Sequence, residues 1–388
     1  MFDAILLASY GGPECLEEIE PFLDKILFGK YISEARRAAI VERYRRFNGK
    51  SPLPQECRKF MGKLQKELAC QGLSTQTYLG NLYAAPSFDD AFEEMERDGI
   101  KDVLVFSTSA FGSSQSCQRY REAIENAFRK RSSKFQLSCK LSFIPPFFDL
   151  PSIQRTVADD ILTAIAWDEL NSKAVFKKLS AQEEASKLIL FSAHSIPTPD
   201  GERACYRAQL LTTISKVLNS ILAAPAFGGE TKINVDIADA ELNGFPNNKL
   251  NFEEQQLSEI SSQLRSKLFE NRIDAALVFQ SRSGSPRTPW LGPSAKEYLR
   301  QYSQDRPQLK SVIVSPIGFF FDNMETIYDL DVELRNICDE LGLAYSRTPC
   351  IGSSPRLVDS IVKLARLSFD DFYRCHRTST TCDLSCRL

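Results

Sequence analysis

Apolar residues along this chain gather into short runs separated by longer amphipathic stretches. Six runs stand out, at 5–8, 77–80, 103–106, 188–191, 276–279 and 311–314. Each is short, mostly aliphatic or aromatic, and followed by polar or turn-forming residues, as a buried strand would be. Between them, 35–47, 88–97, 120–129, 253–269 and 294–302 carry apolar positions at helical spacing. Strand–turn–helix alternation of this kind predicts an α/β protein, with parallel sheets covered by helices on both faces. The order of elements is similar in the two halves. Two similar doubly wound lobes are therefore expected, 1–150 and 151–372, with the crossover near 150–187 and a cleft between them.

In such folds ligands sit outside the carboxyl ends of the strands. Polar clusters fall there after five of the runs: Ser9-Tyr10-Gly11-Gly12-Pro13, Ser107-Thr108-Ser109, Ser192-Ala193-His194-Ser195, Gln280-Ser281-Arg282-Ser283-Gly284 and Pro316-Ile317-Gly318. Two stretches read as surface insertions, the charged 166–187 and the Gly-, Asn- and Pro-bearing 223–256. Residues 373–388 read as a polar, Cys-containing tail.

Composition narrows the function classes. With 388 residues, 43% hydrophobic and 25% charged, the chain has the balance of a large globular protein. A net charge of −2 argues against a nucleic-acid partner held by a general basic field. No apolar run reaches the roughly 18–20 residues that cross a bilayer, so membrane contact is expected to be peripheral at most. The opening MFDAILLASYGG lacks a basic n-region and runs into a Gly-Gly-Pro turn, so it reads as a first core strand and no signal peptide. The 11 cysteines, without an export signal, read as thiols in a reducing cytoplasm.

Only two histidines occur, His194 and His376, so a mechanism needing a base near neutral pH has few candidates. His194 ends the strand-like LILFSAHSIP segment, where an imidazole serves as proton acceptor, metal ligand or hydroxyl-bonded structural group. In PIGFFFDNMETIYDLDVE, Glu325, Asp329 and Glu333 recur every four residues, placing three carboxylates in a row on one helix. A solvated acidic face is the commoner fate of such a row. Here Phe319, Phe320, Phe321, Met324, Ile327 and Tyr328 surround it with apolar bulk, which should raise the acids' pKa values and favour protons or a hard cation. A π-bulge would suit the row, and such bulges cluster at functional sites. Two further segments could grip anions. One is a Pro-rich loop with Gly284, Trp290, Arg282 and Arg287; the other is Arg43, Tyr44, Arg45 and Arg46 followed by the Gly49-Lys50-Ser51-Pro52 turn.

Taken in order, LLASYGGP, RYRRFNGKSPL, TSAFGSSQSCQRYRE, FSAHSIP, FQSRSGSPRTPW and PIGFFFDNMETIYDLDVE resemble the ferrochelatases over nearly the whole chain. The start and the TSA…YRE segment are most similar to the actinobacterial, coproporphyrin III-using branch. The resemblance implies insertion of Fe²⁺ into a porphyrin in heme biosynthesis, with coproporphyrin III favoured over protoporphyrin IX, no organic cofactor, and the tetrapyrrole in the cleft between the lobes. It implies that His194 takes pyrrole protons or ligates iron and that Glu325 faces it across the macrocycle. Asp329 and Glu333 would then continue a path for Fe²⁺ or departing protons. Tyr10 would approach the iron from the other face, and Arg43, Tyr44, Ser51 and Tyr120 would contact the tetrapyrrole.

Two departures stand out. Asn323 occupies the place of a usual histidine and can only hydrogen-bond. Cys375, Cys382 and Cys386 match three ligands of a [2Fe–2S] cluster held by some relatives, yet Thr156 stands where the fourth is expected, and Cys139 and Cys205 are the nearest alternatives. The rival readings are a chelatase for another metal or tetrapyrrole, and an inactive tetrapyrrole-binding protein.

Overall fold

A computed structural model of the chain describes residues 1–29, 32–135, 139–175, 186–203, 205–222, 273–282 and 287–367. All six apolar runs are strands: β1 Ala4–Ser9, β2 Gln76–Asn81, β3 Asp102–Ser107, β5 Ser186–His194, β6 Ile273–Gln280 and β7 Leu309–Ser315. Two more, β4 Lys140–Phe143 and β8 Ala344–Arg347, stand at sheet edges. Every pairing is parallel. The strand orders are β2-β1-β3-β4 and β6-β5-β7-β8, so the second sheet repeats the first strand for strand.

Eleven α-helices are described: α1 Ile19–Leu27, α2 Glu34–Arg45, α3 Leu53–Cys70, α4 Phe88–Arg97, α5 Cys117–Phe135, α6 Pro151–Val175, α7 Thr198–Arg203, α8 Tyr206–Leu222, α9 Ala295–Asp305, α10 Arg335–Glu340 and α11 Pro355–Ala365. A π-helical segment, Thr326–Leu334, leads into α10. Of the charged stretch 166–187, the part to Val175 continues α6, and Ser186 and Lys187 open β5. The insertion 223–256, the helix expected at 253–269 and the tail 373–388 lie outside the described residues.

The period of two along the strands divides the core. In β1, Ile5 and Leu7 face a central cluster, while Ala4, Leu6 and Ala8 face an outer one built on Phe88, Phe92 and Met95 of α4 and Ile124 of α5. In β5, Ile189, Phe191 and Ala193 face the same central cluster, and Leu188 and Leu190 face Leu299 of α9, Leu330, Leu334 and Ile337. The central strands are therefore buried on both faces, as parallel sheets require.

One continuous core serves both sheets. Phe320, from the loop after β7, inserts among Phe60, Phe106 and Phe147 at ring separations of 5.8, 5.3 and 6.0 Å. The last helix, α11, packs its Leu357, Ile361 and Val362 into that core. Its Ala365 carbonyl accepts a hydrogen bond from the Phe2 N–H at 3.3 Å. A smaller cluster joins Ile19, Phe22 and Leu23 of α1 and Val41 and Tyr44 of α2 to Met324, ahead of the π segment.

Candidate active site

The topology brings the carboxyl ends of β5, β6 and β7 together. His194 is the last residue of β5. Beside it the loop after β7 passes so close that a Cβ on Gly318 would lie 2.5 Å from the Ala193 Cβ. Glycine at 318 is what lets this loop cross β5, with its N–H donating to the Ser192 carbonyl at 3.0 Å. That crossing sets Phe319 6.5 Å from the His194 ring and sends Phe320 and Phe321 inward.

His194 is fixed on two sides. Its Nδ1 lies 2.6 Å from the Ser195 carbonyl oxygen, which can only accept, so the neutral ring carries its proton on Nδ1. Nε2 then presents a lone pair, and it lies 3.4 Å from Glu325 Oε2. Burial pulls the imidazole's pKa down, but Glu325, the Ser195 carbonyl and Asp329 outweigh it, and the net shift is upward. The Pro-rich loop braces this arrangement: Ser195 Oγ donates to the Leu291 carbonyl at 2.7 Å, and Pro197 bridges Trp290.

The three carboxylates do lie along one helix, and the π turn expected for them is present as a nine-residue segment. Each acid has its own partner. Glu325 meets His194 directly, leaving no room between them for a macrocycle, so the two do not stand on its opposite faces as the resemblance implied. Asp329 accepts a hydrogen bond from the Ser281 hydroxyl and lies 3.8 Å from Arg43 Nη1. Glu333 pairs with Lys296 at 3.0 Å. Burial pushes the Asp329 carboxyl up to about 6, with Glu325 and Glu333 adding to the rise and Ser281 and Arg43 opposing it. Tyr345 donates its hydroxyl to the Leu330 carbonyl at 2.9 Å, supporting the widened turn.

The first lobe contributes aromatics and cations. Tyr10 follows β1, 38% exposed, with Tyr83 at 4.7 Å and Phe22 at 6.2 Å. Phe22 in turn meets Tyr44 at 6.2 Å. Burial, and then the charge of Glu325, raise the phenols of both Tyr10 and Tyr44, so both feel the acid of the opposite lobe. The Arg43 guanidinium lies over the Tyr328 ring at 4.6 Å and Arg46 stands farther off at 5.8 Å. Ser51 and Tyr120 are not on the open surface. Ser51 is buried beneath Gly12, and the Tyr120 hydroxyl lies 3.3 Å from Thr108 Oγ1.

The family model described as Ferrochelatase matches residues 2–235 and 244–368. This chain belongs to the ferrochelatase family. The coproporphyrin III ferrochelatase of Nocardia farcinica is 30% identical over 95% of the chain and 88% of its own length. The ferrochelatase of Rhodopirellula baltica is 30% identical over 94% and 86%, and the coproporphyrin III ferrochelatase of Streptomyces coelicolor 28% identical over 93% and 84%. Among solved structures, SirB from Bacillus subtilis with Fe³⁺ aligns over 94% of each chain at 12% identity, with a TM-score of 0.44, too loose to bear on the site.

Some ferrochelatase features stay outside this picture. Cys375, Cys382 and Cys386, together with His376 and Gly284, lie outside the described residues. Thr156, where a fourth cluster ligand is expected, is buried on α6 with its hydroxyl 2.6 Å from Ser354 Oγ. Cys139 packs against the outer core of the first sheet and Cys205 lies between α7 and α8. The described residues thus supply no cysteine at Thr156 for a [2Fe–2S] cluster. Among them, no group of three or more His, Cys, Asp or Glu side chains is arranged to hold a metal ion. No described helix is long and apolar enough to cross a membrane.

Tyr83, Phe22 and Lys296 carry no site signal in the sequence, and Ser281 appears there only within the polar cluster that follows β6. Ser281 has φ 62°, a left-handed backbone that aims its hydroxyl at Asp329, and nothing in its residue type signals this.

Proposed function

We propose that this chain is an enzyme that inserts Fe²⁺ into coproporphyrin III in heme biosynthesis, working in the cytoplasm. The observation that carries the reading is the His194 Nε2–Glu325 Oε2 approach of 3.4 Å, a base and an acid meeting where strand ends converge. The choice of coproporphyrin III is supported by the relatives in Nocardia farcinica and Streptomyces coelicolor that carry that name.

Metallation removes two pyrrole N–H protons and exchanges water on Fe²⁺ for four nitrogens. The Nε2 lone pair of His194 accepts a pyrrole proton, and Glu325 stabilises the imidazolium that forms. Asp329, with its pKa about 6, passes charge between the inner pair and Glu333 at the outer end of the row. Fe²⁺ enters, or protons leave, along the same carboxylates. Tyr10 and Arg43 grip the macrocycle from the first lobe, with Tyr44, Ser51 and Tyr120, buried beneath them, shaping that wall from behind. In this reading residues 1–150 hold the porphyrin, 151–372 carry the base and the acid row, and 373–388 lie outside the chemistry.

The test is anaerobic Fe²⁺ insertion, followed by absorbance, with coproporphyrin III and protoporphyrin IX offered separately. Turnover of coproporphyrin III alone supports the proposal. Preference for protoporphyrin IX overturns the substrate, and tight binding of both without turnover favours an inactive tetrapyrrole-binding protein.

A further inference from the structure

Asn323 stands two residues before Glu325, and the polar chain around it is closed. Its side-chain oxygen accepts from the Thr326 N–H at 2.9 Å, and its own N–H donates to Thr326 Oγ1 at 2.9 Å. The Ile327 N–H donates to the Asn323 carbonyl at 3.2 Å, the first helical bond. Asn323 is therefore the N-cap of the helix that carries the acid row, in a reciprocal box with Thr326, and Glu325 is its second residue.

The box is anchored from behind. Thr326 Oγ1 also donates to Asp322 Oδ1 at 3.0 Å. Arg347 of β8 grips Asp322 at 3.0 Å and Asp331 at 2.7 Å. Cys350 donates its thiol to Asp322 at 3.3 Å. From the site side, Gln280 Nε2 donates to the Glu325 carbonyl at 3.4 Å. These contacts tie residues 322–326 to Arg347, Cys350 and Gln280 and so fix where the helix begins.

We propose that Asn323 is a positioning residue: its cap sets the first turn of the π-bearing helix so that the Glu325 carboxylate meets His194. The role belongs to the side-chain oxygen as cap. This rests on the functional reading above and deepens it. A histidine in the same place is a poorer N-cap, so the residue type here is matched to the helix start rather than to proton transfer.

Cap chemistry and amide chemistry separate by substitution. Asn323→Asp and Asn323→Ser keep a capping oxygen without the amide, whereas Asn323→Gln keeps the amide on a side chain that caps poorly. Each variant is assayed for coproporphyrin III metallation beside the unaltered protein, with circular dichroism and thermal melting to establish folding. The expected result is kcat within about threefold of the unaltered protein for Asp and Ser, and a fall of about 10–100-fold for Gln with little change in porphyrin KM, the range typical of groups that orient a reacting residue. Thr326→Val, which removes the other half of the box, should lower kcat likewise. Full activity in the Gln variant, or equal losses in Asp, Ser and Gln, overturns the proposal. An inactive unaltered protein instead sinks the functional reading, and the role of Asn323 falls with it.

Discussion

At the scale of single residues, His194 and Asp329 make opposite demands. His194→Ala removes the lone pair that faces the acid row, and turnover should fall by at least about 100-fold, the lower bound for losing a positioned base. Porphyrin binding, read by fluorescence quenching, should survive if, as proposed, the first lobe supplies the grip. Glu325→Gln should lower turnover comparably. Asp329 carries a stability cost as well. Its folded pKa of about 6 lies above the ordinary 3.8, so the folded state binds the extra proton between those values. Its stabilising share is fully present below pH 3.8 and is lost as pH rises through 6. Asp329→Asn should therefore stabilise the protein at pH 8 by on the order of 3 kcal/mol, seen as a higher melting temperature, and change it little at pH 4. An equal shift at both values would mean that burial of the charge is not what moves this carboxyl. His194 was legible in the sequence because only two histidines exist and this one ends a strand. Ser281 was legible only as part of the polar cluster after the fifth run; its pairing with Asp329 was not, since a positive φ leaves no mark on residue type.

At the scale of elements, the π segment is held by a clamp that joins the residues before it to its middle. Arg347 pairs with Asp322 before the segment and Asp331 within it, with its own side chain only 15% exposed. Breaking this clamp leaves two half-buried acids uncompensated, at a cost of about 1–3 kcal/mol. Arg347→Ala should lower the denaturation midpoint accordingly, and Arg347→Lys should recover only part of it, because one ammonium cannot fork to two carboxylates. A loss below about 1 kcal/mol would place the clamp at the solvated surface. The six buried strands were readable because each is a compact apolar run. Strands β4 and β8 were not, since KLSF and AYSR are short, half-polar edge segments whose pairing depends on neighbours distant in sequence. The acid row suggested a π turn from its four-residue spacing. Its cap by Asn323 was not legible, because several polar residues precede the row and residue type alone does not say which one caps the helix.

At the scale of the whole molecule, Phe320 joins what the sequence divided. It leaves the second sheet and enters a cage of first-lobe phenylalanines, Phe60, Phe106 and Phe147. Phe320→Ala should destabilise the protein by about 3–5 kcal/mol, seen as one cooperative loss in a melt followed by signals from both lobes. Two separate transitions would show that the lobes fold independently. The repeat of strand orders explains why two lobes were expected, whereas the shared core was hidden because its contacts join segments hundreds of residues apart. One consequence concerns time. The apolar face of α3 ending near Leu68 is completed by α11, whose Ala365 also meets Phe2. At about 5–20 residues per second on the ribosome, roughly 15–60 s separate the synthesis of the two. Through that interval the α3 face lacks its partner helix, so the first lobe cannot complete its core until nearly all of the described chain has been made.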